Sequence, residues 1–404
     1  MDPKNIGSTI AKLRKKAGLT QTELADKLNV SDKAVSRWEN GLGFPEVTQF
    51  PALASIFGIS VDQLMTGKRR GIALAGNILV DFVKEVESYP ERGMLANITD
   101  VSRAVGGCVP NTGIDLAKID RNLPVSVAGR IGDDESGRFV VAELSRHGID
   151  CARVSMSADK PTSFSDVISD KNGERTFFHA RGANGEFSPA DVDLSSLDAV
   201  ILHVGYILLL DKFDQRDPEY GTVMARFLHD AQKEGIKTSI DVVSSNNADY
   251  KATVIPALRY CNYAFLNEVE SSMLSDLPPY HPDGSLWMEN IRKTMEFIAS
   301  CGVREKVIVH CKQAGFVLNV ADGSFTAMTS LDIPRSLIRG SVGAGDAFCA
   351  GSLYALYNGY DDTRLLEIAG AAAGASLFSE NSVDGMKPLP ELEQMLRDYP
   401  CHKL

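Results

Sequence analysis

The sequence predicts a small all-α unit followed by a larger α/β unit with a mostly parallel sheet, and three observations predict it. Charge is split along the chain: residues 1–70 carry eleven Lys and Arg against seven Asp and Glu. That net of +4 leaves −15 for the rest of a chain whose total is −11. The basic segment spaces its apolar residues helically between capping residues, whereas beyond it short apolar or β-branched runs alternate with amphipathic stretches. At 404 residues, 44% hydrophobic and 24% charged, the chain has the composition of an ordinary soluble protein and room for more than one domain. A basic head on an acidic body implies that only the head meets a polyanion.

In the head, Ile6, Ile10 and Leu13 recur at helical spacing and Gly18 stops the helix. Thr20 and Glu23 form a capping-box pattern opening a second helix, with Leu24, Ala25 and Leu28 on its inner face. Ser31 caps a third helix that carries Val35 and Trp38 and ends at Asn40-Gly41, and two more helices are expected at 47–57 and 61–65. Helix, tight turn, helix, with small Ala25 at the approach, is a helix-turn-helix layout.

The run Leu19-Thr20-Gln21-Thr22-Glu23-Leu24-Ala25, continued by Val35-Ser36-Arg37-Trp38-Glu39-Asn40-Gly41, resembles the lambda repressor/Cro family of DNA-binding domains over residues 6–66. The resemblance implies that the third helix lies in the major groove, so that Ser31, Asp32, Lys33, Ser36 and Arg37 face bases while Gln21 sits at the phosphate backbone. Such heads act as dimers on half-sites, so the body is expected to dimerise the chain. The expected divisions are a DNA-binding domain over 1–68, a linker over 69–71 and a second domain over 72–404, with Gly67-Lys68-Arg69-Arg70-Gly71 supplying the linker composition.

In the body, strands are expected at 72–79, 199–204, 237–243, 263–266 and 306–310, separated by helical segments such as 221–234 and 288–299. That alternation predicts a parallel sheet covered on both faces, with ligands at the carboxyl ends of the strands. Residues 81–105 and 155–179 read as irregular or antiparallel and are assigned to a smaller lid. The stretch Gly343-Ala344-Gly345-Asp346 precedes an apolar, small-residue helix over 347–356. Tight glycine turns ahead of a helix make an anion site, and an Asp beside it either takes a proton from an attacking hydroxyl or caps the helix. Gly76 to Asp81, Gly106 to Asn111 and Asn267 to Glu270 mark further turns near strand ends, and Gly129 to Asp134 reads as a scaffold turn. A Walker-type phosphate loop is absent from the sequence.

Taken in this order, the motifs resemble the ribokinase-like (PfkB) carbohydrate kinases over about residues 72–392, with Gly-Ala-Gly-Asp followed by a small-residue helix as the most specific signature. The resemblance implies a doubly wound α/β core with a β-lid and transfer of the γ-phosphate of ATP to a substrate hydroxyl. By position Asp346 is then the general base, with Gly343, Ala344 and Gly345 supplying anion-hole N–H groups. Asp81, Gly106, Gly107 and Asn111 meet substrate, and Asn267 and Glu270 order water around Mg²⁺. The nucleotide loop after the strand ending at His310 departs from the family pattern, reading Cys311-Lys312, while Gly315 is kept; Lys312 and Gly315 are its nucleotide candidates. Gly340 and Ser341 replace the Asp-Thr that often precedes the motif, so the carboxylate that helps bind a monovalent cation in relatives is missing.

Arg181, where the chain returns from the lid, is a candidate for an anionic substrate group or a partner for one of the body's own acids. Seven scattered cysteines with no C-x-x-C spacing argue for reduced thiols and against structural zinc. The N-terminus lacks the apolar core of a signal peptide and the apolar run 199–210 is too short to span a bilayer, so a cytoplasmic, non-membrane protein is expected. The combined expectation is an ATP-dependent kinase of a sugar or sugar derivative fused to a sequence-specific DNA-binding head. Its alternatives are a ligand-sensing transcription factor with a weak or inactive kinase fold and a nucleoside kinase.

Overall fold

Capping chemistry sets the helix boundaries of the head. In this computed structural model, which describes residues 3–57, 59, 61–66, 70–170, 175–244 and 249–401, five helices run α1 (Pro3–Lys16), α2 (Gln21–Leu28), α3 (Asp32–Glu39), α4 (Gln49–Phe57) and α5 (Val61–Thr66). The Thr20/Glu23 capping box forms as expected, Asn29 closes α2 at φ 55°, and the Ser31 hydroxyl accepts from the Ala34 N–H at 3.2 Å. α4 starts two residues later than expected because Gln49 N–H is held by Glu46 O in the preceding turn. Ile6, Ile10, Leu24, Val35 and Leu53 fill the core. Ala25 is buried as expected, but the tightest backbone approach is at Gly7, where a Cβ would fall 2.0 Å from Trp38 O. Under this core Arg14 forks onto Glu39 at 2.6 and 3.0 Å and also donates to Leu19 O.

The chain divides into two compact units, Met1–Arg70 and Gly71–Leu404; residues 67–69 of the basic connecting stretch lie outside the described residues. In the second unit strands and helices alternate. They run β1 (Gly71–Gly76), β2 (Leu79–Val86), β3 (Ile98–Gly106), α6 (Cys108–Ile119), β4 (Val125–Gly132), α7 (Glu135–Arg146), β5 (Asp150–Ser157), β6 (Ser163–Asp170), β7 (Arg175–Ala180) and β8 (Ala199–Ile207). After the short β9 (Arg216–Asp217) and β10 (Gly221–Thr222) come α8 (Val223–Lys233), β11 (Lys237–Val242), α9 (Tyr250–Leu258), β12 (Tyr263–Asn267), α10 (Glu268–Ser275) and α11 (Met288–Ser300). The chain finishes with β13 (Lys306–His310), β14 (Ala314–Asn319), β15 (Phe325–Thr329), α12 (Ala344–Tyr357), α13 (Asp362–Ser376) and α14 (Leu389–Asp398).

The main sheet has the order β15-β14-β13-β12-β11-β8-β1-β4-β5; β5 through β13 pair in parallel, and β14 and β15 add antiparallel at one edge. Two buried clusters, one containing α6, α12 and α13 and the other α8, α9 and α11, cover its opposite faces. This is the doubly wound architecture the alternation predicts. The lid is a separate sheet, β3-β2-β6-β7, and its β2–β6 pair is parallel rather than antiparallel.

Two expectations are corrected. The run 72–79 is not one strand: β1 stops at Gly76, whose φ of 131° excludes ordinary side chains, and the chain resumes as lid strand β2. Asn184 fixes that crossover by bonding both backbone groups of Ile78 at 3.1 and 3.0 Å. The segment beginning at Gly129 is not a turn but part of β4, where a Cβ at residue 129 would lie 2.5 Å from the Ile78 side chain.

Candidate functional site

The first turn of α12 organises the chemistry at the carboxyl ends of the strands. Gly343, not Asp346, is its N-cap, at φ 79°, and a Cβ there would fall 2.5 Å from Ser382 Cβ. The helix therefore begins three residues before the expected 347, and Asp346 is inside its first turn. First-turn N–H groups have no intrahelical acceptor, so the segment presents donors and positive dipole to the space before it.

Asp346 is 6% exposed and its carboxylate does no capping. Tyr206 OH donates to Oδ1 at 2.6 Å and Asn111 Nδ2 to Oδ2 at 2.8 Å. Burial raises the proton affinity of Asp346 and these two hydrogen bonds oppose the rise. A carboxylate so held is oriented, desolvated and more basic than an exposed one. Tyr206 was not foreseen, because nothing in the apolar strand β8 distinguishes the residue at its end.

The lid side supplies polar groups. Gly107 (φ 86°) opens α6, and a Cβ there would meet Asn77 O and Oδ1 at 2.6 Å. A Cβ at Gly106 would meet Asp81 Oδ2 at 2.3 Å, so both glycines make room rather than contact. Asp81 rises to about 7 through burial, reinforced by the charge of Asp346 and opposed by a Ser165 hydrogen bond and by Arg175. Asn111 Oδ1 and both polar side-chain atoms of Asn77 are buried without a protein partner. Such orphaned donors and acceptors suit the hydroxyls of a polar ligand. Arg181 is already engaged: it donates to Asp211 at 2.5 Å and to Leu208 O at 3.0 Å.

Beyond α12 lies a cavity of about 540 Å³ whose lining includes His310, Lys312, Gly315, Gly345, Phe348 and Leu366. Its walls are mostly apolar and Lys312 is exposed at its rim. A Cβ at Gly315 would run into the Phe348 ring at 2.8 Å, so glycine keeps this wall open. His310, missed by sequence reasoning as a site residue, packs against Phe348 at 5.1 Å and under Gly345; burial lowers its pKa to about 4, leaving it neutral.

Asn267 and Glu270 form a full capping box on α10. Glu270 accepts from Asn267 N–H at 2.9 Å, from Asn267 Nδ2 at 2.8 Å and from Ser244 Oγ at 2.9 Å. It is 4% exposed, and burial raises its pKa to about 7. Asp241, half-buried close by, is raised by desolvation and by the charges of Glu270 and Asp346. A buried and a half-buried carboxylate this close fit a hard divalent ion that keeps part of its water shell.

In the head, Ser31, Asp32, Lys33 and Arg37 are exposed and Ser36 half-exposed on the outer face of α3. Arg37 makes a long contact to Leu42 O at 3.4 Å. Gln21, the expected phosphate contact, donates through Nε2 to Glu39 at 2.7 Å, in the Arg14 network.

Comparison with known proteins adds context to this geometry. The model of the pfkB family of carbohydrate kinases matches residues 69–388, and a helix-turn-helix model matches residues 10–64. The chain is 22% identical over 307 residues to a 5-dehydro-2-deoxygluconokinase of Geobacillus thermodenitrificans, covering 73% of this chain and 85% of the relative. It is 20% identical over 333 residues to a ribokinase of Schizosaccharomyces pombe, covering 80% and 96%. The structure of Arabidopsis thaliana ribokinase complexed with ribose and ATP superposes with a TM-score of 0.67 at 19% identity, covering 81% of this chain and 99% of that one. Among the described residues no helix is long and apolar enough to cross a membrane.

Proposed function

The chain belongs to the pfkB family of carbohydrate kinases and carries a helix-turn-helix domain ahead of the kinase domain, and on that premise we propose that it moves the γ-phosphate of ATP to a hydroxyl of a sugar or sugar derivative. The observation that carries the proposal is Asp346, oriented by Tyr206 and Asn111 between the orphaned polar atoms under the lid and the apolar cavity beyond α12.

In the proposed reaction Asp81, Asn77 and Asn111 bind substrate hydroxyls, and the oriented hydroxyl oxygen attacks the γ-phosphorus as the bond to ADP breaks. Asp346 takes the hydroxyl proton. The N–H groups from Gly343 to Gly345 and the start of α12 stabilise the charge spread over the transferring phosphoryl oxygens. Nucleotide occupies the cavity lined by His310, Gly315 and Phe348, with Lys312 at its rim. Asn267 and Glu270, with Asp241 beside them, would hold the hydrated Mg²⁺, which supplies charge neutralisation to the phosphates. Arg181, spent on Asp211, has no part in this scheme.

Exposed α3 side chains support sequence-specific DNA binding by the head, and the fusion supports a homodimeric regulator that responds to what it phosphorylates. The related ribokinases and 5-dehydro-2-deoxygluconokinase support sugars as the first substrates to try. The test is an ATP-consumption screen over sugars, sugar acids and nucleosides, run beside Asp346→Asn. Turnover of one candidate, lowered by about 10²–10⁴ in the variant, is expected. No turnover with any candidate, together with ligand-dependent DNA binding, would move the reading to a sensor with an inactive kinase fold; the changed loop at His310-Cys311-Lys312 is the feature that favours that second reading.

A further inference from the structure

Behind the proposed base lies a group of side chains of which the phosphotransfer scheme uses only Asp241, and that only beside the ion held at Asn267 and Glu270. His203 on β8 and Ser239 on β11 are register partners on neighbouring parallel strands, and the His203 Nδ1 and Ser239 Oγ atoms are 2.7 Å apart. The other ring nitrogen, Nε2, lies 3.7 Å from Cys349 Sγ on α12. Asp241, two residues beyond Ser239, completes the group: one donor atom each from His203, Asp241 and Cys349 lie within 4.8 Å of one another. His203 is 1% exposed and Cys349 2%.

We propose that His203 Nε2, Cys349 Sγ and a carboxylate oxygen of the half-buried Asp241 form a site for a single zinc-like divalent ion. Imidazole, thiolate and carboxylate together are a borderline-soft set; they suit Zn²⁺ and do not suit Mg²⁺, which takes oxygen ligands. Three protein ligands leave the fourth tetrahedral position for water. Ser239 acts on the ligand itself: by occupying Nδ1 it fixes the ring orientation and leaves Nε2 as the donor, the outer-shell arrangement usual for metal-bound histidine. Binding forms the sulfur–metal bond as the Cys349 thiol gives its proton to solvent. Cys349 lies one helical turn after Asp346, so on the phosphotransfer reading above, an ion there sets positive charge behind the base. The site itself stands without that reading, and its test measures binding alone.

The full chain, reduced and stripped with a chelator, is titrated with Co²⁺ as a spectroscopic probe and dialysed against Zn²⁺. One ion per chain is expected, with a thiolate-to-cobalt charge-transfer band and visible bands of tetrahedral intensity. Cys349→Ser should abolish the charge-transfer band, while Cys401→Ser, at an exposed cysteine, should leave it intact. Ser239→Ala, which removes no ligand, should weaken zinc by about 10–100-fold. The alternative, a thiol–imidazole hydrogen bond inside the core and nothing more, predicts no charge-transfer band in the wild type. That result overturns the proposal, as does a band that survives in Cys349→Ser. Should Cys349→Ser fail to fold, unchanged zinc affinity in Ser239→Ala overturns it instead.

Discussion

Asp346 shows how a carboxylate at a helix start is diverted from capping to hydrogen bonds with distant elements. Gly343 takes the cap position, which leaves Asp346 in the first turn with both oxygens bonded to residues from other elements. Tyr206→Phe removes one of these bonds without emptying the space. A hydrogen bond to a charged group is worth about 1.5–3 kcal/mol, so kcat should fall roughly tenfold or more with KM little changed, read by steady-state kinetics. A second expectation at this scale concerns Glu270, whose pKa is raised by burial from 4.5 to about 7. A carboxyl with a raised folded value holds its proton more tightly when folded. Its contribution to stability is therefore full below the unfolded value and is lost as pH rises through the folded one. Relative to wild type without divalent ions, Glu270→Gln should gain stability as pH climbs from 4.5 to 7, seen as converging or crossing melting temperatures. Parallel melting curves across that range would count against a raised pKa at Glu270.

At the scale of elements, turns and caps carry the site. The Gly343 turn is the sharpest case, because a side chain there meets both a left-handed φ and Ser382 Cβ at 2.5 Å. Gly343→Ala should cost about 1–3 kcal/mol in stability and raise the KM for ATP, measured by thermal melts and kinetics. In the head, the Arg14–Glu39 fork joins α1 to α3, and its side chains are 11% and 7% exposed. It also draws Gln21 inward. Arg14→Ala should destabilise the head by about 2 kcal/mol, followed as loss of helical signal on heating. The Thr20/Glu23 box and the Ser31 cap were legible in advance because capping is local in sequence. The break between β1 and β2 was not, because Asn184, more than a hundred residues away, holds the backbone at Ile78.

For the whole molecule, the two units are expected to separate functionally. Arg37→Ala should weaken operator binding in a gel shift at fixed salt while kinase turnover stays at the wild-type rate; salt must be fixed because phosphate contacts are salt-dependent. Equal operator affinity in the variant would argue against α3 as the reading helix. The division of charge, +4 in the first 70 residues and −15 beyond, already separates a basic unit from an acidic one.

The fold class and the candidates for most site residues were legible in the sequence alone. Hydrophobic periodicity, caps and glycine turns are short-range signals, and Gly343 to Asp346, Asp81, Asn111 and Glu270 all lie in or a few residues from such a signal. What those residues touch was decided only by the tertiary structure. Asn111 and Asp346 are 235 positions apart, and Tyr206 and Asp346 are 140 apart. Arg181 is satisfied by Asp211, a choice among many acids that composition does not make. Cysteine spacing argued against structural zinc, yet parallel pairing of β8 with β11 and the packing of α12 bring His203, Asp241 and Cys349 together. Spacing along the chain reports ligands carried on one local element, whereas a doubly wound sheet assembles its sites from strand ends and helix starts far apart in sequence.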